Sequence, residues 1–177
     1  MKISYGNSRF EKKWKNNDIT WDDFCQRTAS TIRTSETTQE YRKLSKAQQD
    51  QIKDVGGFVG GHLKGGVRRA GHVLCRSMLT LDMDYGTPGI VDELQLLMDH
   101  ECCIYSTHKH LPEAPRLRLI FPLIRDVTEE EYPAVGRMLA KEIGIDLFDD
   151  STYQAHRLMY WPSTSANGVF VHRVIEG

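Results

Sequence analysis

Asp82 and Asp84 stand one residue apart in Leu79-Thr80-Leu81-Asp82-Met83-Asp84-Tyr85-Gly86, where an apolar stretch ends. Side chains of an extended strand alternate between faces, so two carboxylates at this spacing project together. Placed like that, they repel each other and resist desolvation. A divalent cation relieves both costs, and hard oxygen ligands suit Mg2+ or Mn2+. The same residues also fit a strand that runs out into a polar turn at Tyr85-Gly86. Ser106 and His108 repeat the spacing further on, offering a hydroxyl and an imidazole to phosphate oxygens. A lone histidine on a strand is also, simply, a hydrogen-bonded surface or core residue. Asp149 and Asp150, after Leu147-Phe148, add carboxylates at a loop, or mark a plain helix-to-strand turn.

The elements that must position these groups follow from periodicity. Val73, Cys75, Leu79, Leu81 and Met83 fall at nearly every second position, which predicts a strand with one buried face. Thr87-Pro88 reads as the cap and first position of a helix carrying Val91, Leu94, Leu97 and Met98. Strands are expected near 102–108 and 117–123, joined by the Leu111–Pro115 turn. A strand, a crossover helix and a strand make a βαβ unit whose strands run parallel, bringing both pairs to one sheet edge. The Thr128–Glu131 capping box opens a helix burying Tyr132, Val135, Met138, Leu139 and Ile143 and stopping at Gly144. Strands near 156–161 and 169–174 complete the pattern. The fold class is α+β: an RRM or ferredoxin-like split βαβ core over 72–177, with a basic, mostly helical lobe over 1–71 packed on it.

In that lobe Thr20 and Ser45 cap two helices, and the polar stretch 34–40 between them has no periodicity. Residues 56–66 hold six glycines, followed by Arg68 and Arg69 and interrupted by Lys64. They read as a hairpin with turn glycines or as a cradle for phosphates. No Gly-Lys-Ser/Thr follows the spacing of a Walker loop. The net charge of −1 conceals an asymmetry. Residues 1–81 carry 15 Lys and Arg against 8 Asp and Glu, a balance of +7, while 82–177 carry 8 against 16, a balance of −8. Such a split fits a basic surface for a polyanion beside an acidic centre for cations, or chance variation of solvated faces. No apolar run reaches the 18 residues that span a membrane, and no signal core opens the chain, so a cytoplasmic protein with reduced thiols is expected.

Taken in order, Asp82-x-Asp84, Ser106-x-His108 and Phe148-Asp149 resemble the three motifs of the archaeo-eukaryotic primase superfamily. The run Phe148–Ser163 is similar to primase-polymerase domains of phages, plasmids and mobile elements, which often precede a helicase-like region. The resemblance covers roughly residues 50–165 and implies template-directed nucleotidyl transfer. It implies that Asp82, Asp84 and Asp149 hold two divalent ions, with Ser106, His108, Lys109, Arg116 and Arg118 on the nucleotide's phosphates. Arg157 would touch substrate or pair with a carboxylate. Lys64, Arg68 and Arg69 would contact DNA, the partners being single-stranded template, primer, (d)NTPs and a helicase-like domain or protein. No Cys/His cluster suggests the zinc site of many primases, which puts initiation, as opposed to extension, in doubt.

Two rivals remain. His108-Lys109-His110 invites an HUH nickase, with Tyr132 as the helical nucleophile, although the middle residue is not hydrophobic. A non-catalytic RRM-like module would need aromatics exposed on the sheet for base stacking, and Tyr105 alternates away from Ser106 and His108.

Overall fold

A computed structural model describes residues 1–177. The chain runs β1 (Lys2–Gly6), β2 (Lys15–Asp18), α1 (Trp21–Thr28), β3 (Ile32–Arg33), α2 (Thr38–Lys43), α3 (Lys46–Lys53), β4 (Gly57–Val59) and β5 (Gly61–Leu63). There follow β6 (Val73–Met83), α4 (Ile90–Leu97), β7 (Cys102–Ser106), β8 (Leu117–Val127) and α5 (Tyr132–Ile143). Short strands β9 (Met159–Tyr160), β10 (Ser163–Thr164) and β11 (His172–Ile175) close it.

The main sheet has the order β11-β7-β8-β6-β5 with every neighbour antiparallel. β6 and β7 are therefore parallel to each other, with β8 inserted between them: a split βαβ unit. The expectation fails at the far edge. The strand foreseen near 156–161 does not join this sheet; β9 pairs with β4, and β5 lies beside β6 instead. Residues on both sides of position 71 thus share both large sheets. The N-terminal lobe is also less helical than expected, since β2-β1-β4-β9 form a second sheet. Its glycines serve close packing: a Cβ at Gly61 would strike the Cys75 carbonyl. The Gly-rich stretch is thus a pair of strands ending in a turn at Lys64–Gly66.

Alternation along the strands gives the sheet two buried faces. Leu79, Leu81, Met83, Ile104, Leu117, Leu119 and Phe121 join the core that α4 and α5 cover. Met78, Cys103, Tyr105 and Ile120 turn the other way, onto Ile3, Phe24, Phe58 and Trp161 of the second core. The helix caps at Thr20 and Ser45 form as read; Thr128 and Glu131 exchange the expected pair of bonds, but in the turn before α5, whose cap residue is Glu131. α4 begins later than Thr87-Pro88, with Gly89 as its cap in the left-handed region. Met138 lies outside the core, on the exposed side of α5.

Candidate active site

Asp82, next to last in β6, lies on the face turned away from α4 and α5, and Asp84 follows just past the strand's end. Across the ladder Arg118 stands opposite Asp82, its Nε 3.7 Å from Asp82 Oδ1. That is too long for a charge-assisted hydrogen bond. Both atoms are buried without a hydrogen-bond partner. Arg118 Nη1 instead donates to the Tyr160 carbonyl at 3.1 Å. One turn of the pleat later, Arg116 Nη1 donates to Asp84 Oδ1 at 3.1 Å. Burial pushes the Asp84 carboxyl above its ordinary value, the Asp82 carboxylate pushes it further, and Arg116 opposes both.

Asp149 reaches the same edge by a different route. Phe148 is buried and makes an isolated antiparallel bridge with Met83. The Asp149 N–H then donates to the Asp82 carbonyl at 3.0 Å. Its carboxylate accepts from the Ser151 hydroxyl and lies 3.5 Å from Arg157 Nη2. Asp150 turns to a separate hollow beside Glu129 and Arg137. Of the two adjacent aspartates, Asp149 is the one in the cleft.

These groups line a cleft of about 540 Å³. Lys46, Gln49, Asp50 and Lys53 of α3 form its opposite wall, with Tyr41, Thr107, His108, Lys109, Tyr160 and Ser163 between. Lys46, Lys53, Lys109, Arg116, Arg118 and Arg157 outnumber Asp50, Asp82, Asp84 and Asp149. Each aspartate faces a cation: Asp50 has Lys53 at 3.0 Å and Arg9 at 3.5 Å, and the others have their arginines. The surplus resides in Lys46 and Lys109, which form no ion pair. No three His, Cys, Asp or Glu side chains are grouped closely enough to hold a metal ion. Asp82, Asp84 and Asp149 are thus drawn to one edge but neutralised one by one by arginines. The donor set nevertheless suits a hard cation, because Asp82 Oδ1 is a buried carboxylate oxygen left without a hydrogen-bond donor.

His108 lines the cleft in the turn after β7, yet its ring is fully engaged. Nε2 meets Glu36 Oε1 at 2.7 Å and Nδ1 meets Ser163 Oγ at 2.9 Å. Burial lowers its pKa against the opposing pull of Glu36, so the ring is neutral near pH 7. A neutral ring facing a carboxylate carries its proton on Nε2 and accepts from Ser163 at Nδ1. Ser106 is displaced from the expected place: it is fully buried outside the cleft lining, its hydroxyl accepting the Val171 N–H at 2.9 Å. Lys64, Arg68 and Arg69 also lie outside the cleft lining. Arg68 donates to the His156 and Arg9 carbonyls and stacks over Trp14, which is a structural use of its charge.

The features the rivals need are committed elsewhere. Tyr132 is fully buried, with its hydroxyl bonded to Thr80. His110 Nδ1 accepts the Arg116 N–H. Tyr105 is fully buried and donates to the Tyr160 carbonyl, so it offers bases no stacking face. Sequence reasoning missed Glu36 and the α3 wall. For α3 a signal existed: Lys46, Gln49, Asp50 and Lys53 sit at i, i+3, i+4 and i+7, one polar stripe of a helix.

The family model described as VapE N-terminal domain matches residues 1–177. That match is consistent with a replication protein of mobile elements. No curated protein and no solved structure matches. No helix is long and apolar enough to cross a membrane.

Proposed function

The chain belongs to the VapE N-terminal domain family, and from that premise we propose that it performs template-dependent nucleotidyl transfer as a primase-polymerase. The observation that carries the reading is the convergence of Asp82, Asp84 and Asp149 on one edge of a cleft whose remaining lining sets six cations against the single carboxylate of Asp50. A volume of about 540 Å³ suits a nucleotide-sized ligand. The polarity of its walls suits a polyphosphate rather than an apolar molecule.

Asp82, Asp84 and Asp149 are the residues that would hold Mg2+ or Mn2+, which when bound activate a 3′-hydroxyl and neutralise phosphate charge. Their arginine partners must yield for this. Arg116 and Arg118 then remain beside the reacting phosphates, where a guanidinium fork matches phosphate oxygens. Lys46 and Lys109, free of carboxylates, attract the incoming polyphosphate from the two sides. His108 serves the wall: Glu36 and Ser163 fix its ring, and a phosphate contact requires one of those bonds to open. Single-stranded template, primer and (d)NTPs are the proposed substrates, with a helicase-like domain or protein as partner.

Incubation with primed template, labelled dNTPs and Mn2+ tests the reading. The parent chain is expected to extend the primer, and Asp84→Asn to lose about a thousandfold in rate, as expected when a carboxylate that would hold the catalytic ions is removed. Equal extension by parent and variant, or no extension by the parent with Mg2+ or Mn2+ and either dNTPs or NTPs, overturns it.

A further inference from the structure

Outside the cleft, Phe10 presents an aromatic ring 73% exposed. Its exposure is not that of a loose end. The turn beneath it is pinned, with the Phe10 N–H donating to Ser8 Oγ at 3.0 Å and the Arg9 N–H to Asp54 Oδ2 at 3.0 Å. The Arg9 carbonyl accepts from Arg68 at 3.5 Å. Arg9 also connects the ring to the cleft: its guanidinium lies 4.6 Å from the Phe10 centroid and 3.5 Å from Asp50 of the α3 wall. Arg9 thus spans from the α3 wall to the ring.

Exposed cations lie on the segments that meet at this turn: Lys12 and Lys13 follow Phe10 in the chain, and Arg69 adjoins Arg68, which reaches the Arg9 carbonyl. Lys12, Lys13, Lys64 and Arg69 are exposed, and none forms an ion pair. Lys13 folds against the Gly66 turn, so the two basic segments lie side by side. Among nearby carboxylates Asp54 caps the Ser8–Arg9 turn and Glu11 is half-buried, while Asp18 is exposed beside His62. A pinned, exposed aromatic ring among unpaired cations is the arrangement that binds single-stranded nucleic acid, the ring stacking a base and the cations following the backbone.

Resting on the nucleic-acid side of the reading above and not on its chemistry, we infer that Phe10 is a stacking platform for single-stranded DNA beside the α3 wall of the cleft. Lys12, Lys13, Lys64 and Arg69 hold the backbone on either side of it.

The test is fluorescence anisotropy of the full chain with a labelled oligothymidine and its abasic counterpart of equal length, without nucleotide or metal. The parent is expected to bind oligothymidine more tightly than the abasic strand. Phe10→Ala should lose roughly tenfold on oligothymidine and nothing on the abasic strand, and Phe10→Trp should restore the difference. Lys12→Glu with Lys64→Glu should weaken both strands and flatten the salt dependence. The inference is overturned if Phe10→Ala binds both strands as the parent does, or weakens both equally. Absence of oligonucleotide binding by the parent, as a purely protein-facing Phe10 would give, also overturns it. Intact base discrimination with failed primer extension sinks only the polymerase reading, and the reverse result sinks only this one.

Discussion

The cleft has two walls that hold similar charges by different means. On the sheet wall Asp82 and Arg118 oppose each other across two eleven-residue strands, with side chains only 12% and 9% exposed. Their positions are set by ladders and by packing on both faces of the sheet. On the other wall α3 has eight residues and buries none of them. It is held by its capping box, by Asp54 at its end and by Asp50 on Arg9. A helix that short has little stability of its own in water. The contrast assigns precision to the sheet, where the carboxylates stand, and adjustability to the helix, where unpaired charge waits for a ligand. Groups that must hold reacting atoms in register belong on the stiffer wall.

The largest effect expected from breaking the stiff wall comes from Arg76, which is fully buried in β6. Its guanidinium donates to the Gly60, Ala155 and Met78 carbonyls and to Thr80 Oγ1, and lies 4.1 Å over the Tyr132 ring. It thereby ties the β4–β5 junction to the loop before β9. Arg76→Ala leaves a cavity and several buried acceptors unpaired, at a cost of about 3–5 kcal/mol. Urea denaturation measures this. A loss below about 1 kcal/mol would mean that water replaces the guanidinium and that the wall is less rigid than its hydrogen bonds imply.

A smaller effect is expected at the junction of the walls, where Glu36 of the lobe grips His108 of the sheet side. Glu36→Ala leaves the buried imidazole N–H only the longer contact to Ser165 Oγ at 3.3 Å, a cost of about 1–2 kcal/mol. The same contact contributes to pH behaviour, alongside His110, His156 and His172, which burial also lowers. Burial lowers the folded pKa of His108 below 6.5, while the unfolded chain takes up its proton near that value. The group therefore stabilises the fold above pH 6.5, and that stability is lost as pH falls from there through the folded value. Glu36 opposes the lowering, so its removal widens the window toward acid. Thermal melts across this range should show Tm falling with acid in the parent and falling further in Glu36→Ala. A Tm that rises as pH drops below 6.5 would mean His108 is charged in the fold.

How much of this was legible in the sequence depends on the range of the forces involved. Asp82 and Asp84 sharing a face, and helices beginning after Thr20 and Ser45, follow from neighbours within four residues, and they were readable. Phe148 seating Asp149 was legible only through the motif resemblance, because its partner Met83 lies 65 positions away in the chain. The six-residue α2 buries only Tyr41, so it offers no periodicity to detect. β5 and β9, of three and two residues, carry too few side chains to reveal which sheet they join. Ser106 obeys the alternation rule, but the register aligns it with Leu117 and Met83 on the face opposite to Asp82, a long-range pairing no local pattern encodes, and its hydroxyl serves Val171 there.

On the softer wall, Lys46→Ala removes an exposed, unpaired cation facing the cleft. The expected consequence is a KM for nucleotide raised about fivefold, roughly 1 kcal/mol of screened attraction, with kcat and Tm unchanged. Steady-state extension at varied dNTP separates the two. A fall in kcat at constant KM would place Lys46 among the groups that act on the reacting atoms.

The smallest global effect, and the sharpest test of the contrast, is expected from Ser45→Ala. Ser45 Oγ accepts the Gln48 N–H while the Gln48 side chain returns a bond to the Ser45 N–H. Losing the cap costs the helix about 1 kcal/mol. Because α3 buries no side chain, its opening need not open the core, so the loss should appear as local fraying rather than global unfolding. Hydrogen exchange should accelerate about fivefold at the α3 amides and stay unchanged in β6, β7 and β8. Lys46 and Lys53 would then be presented less often to the cleft, and KM for nucleotide should rise with no change in the sheet's carboxylates. If the β6 and β8 amides accelerate in step with those of α3, the helix is cooperative with the sheet. Precision and adjustability are then not divided between the walls, and the charge of α3 is as fixed as the aspartates it faces.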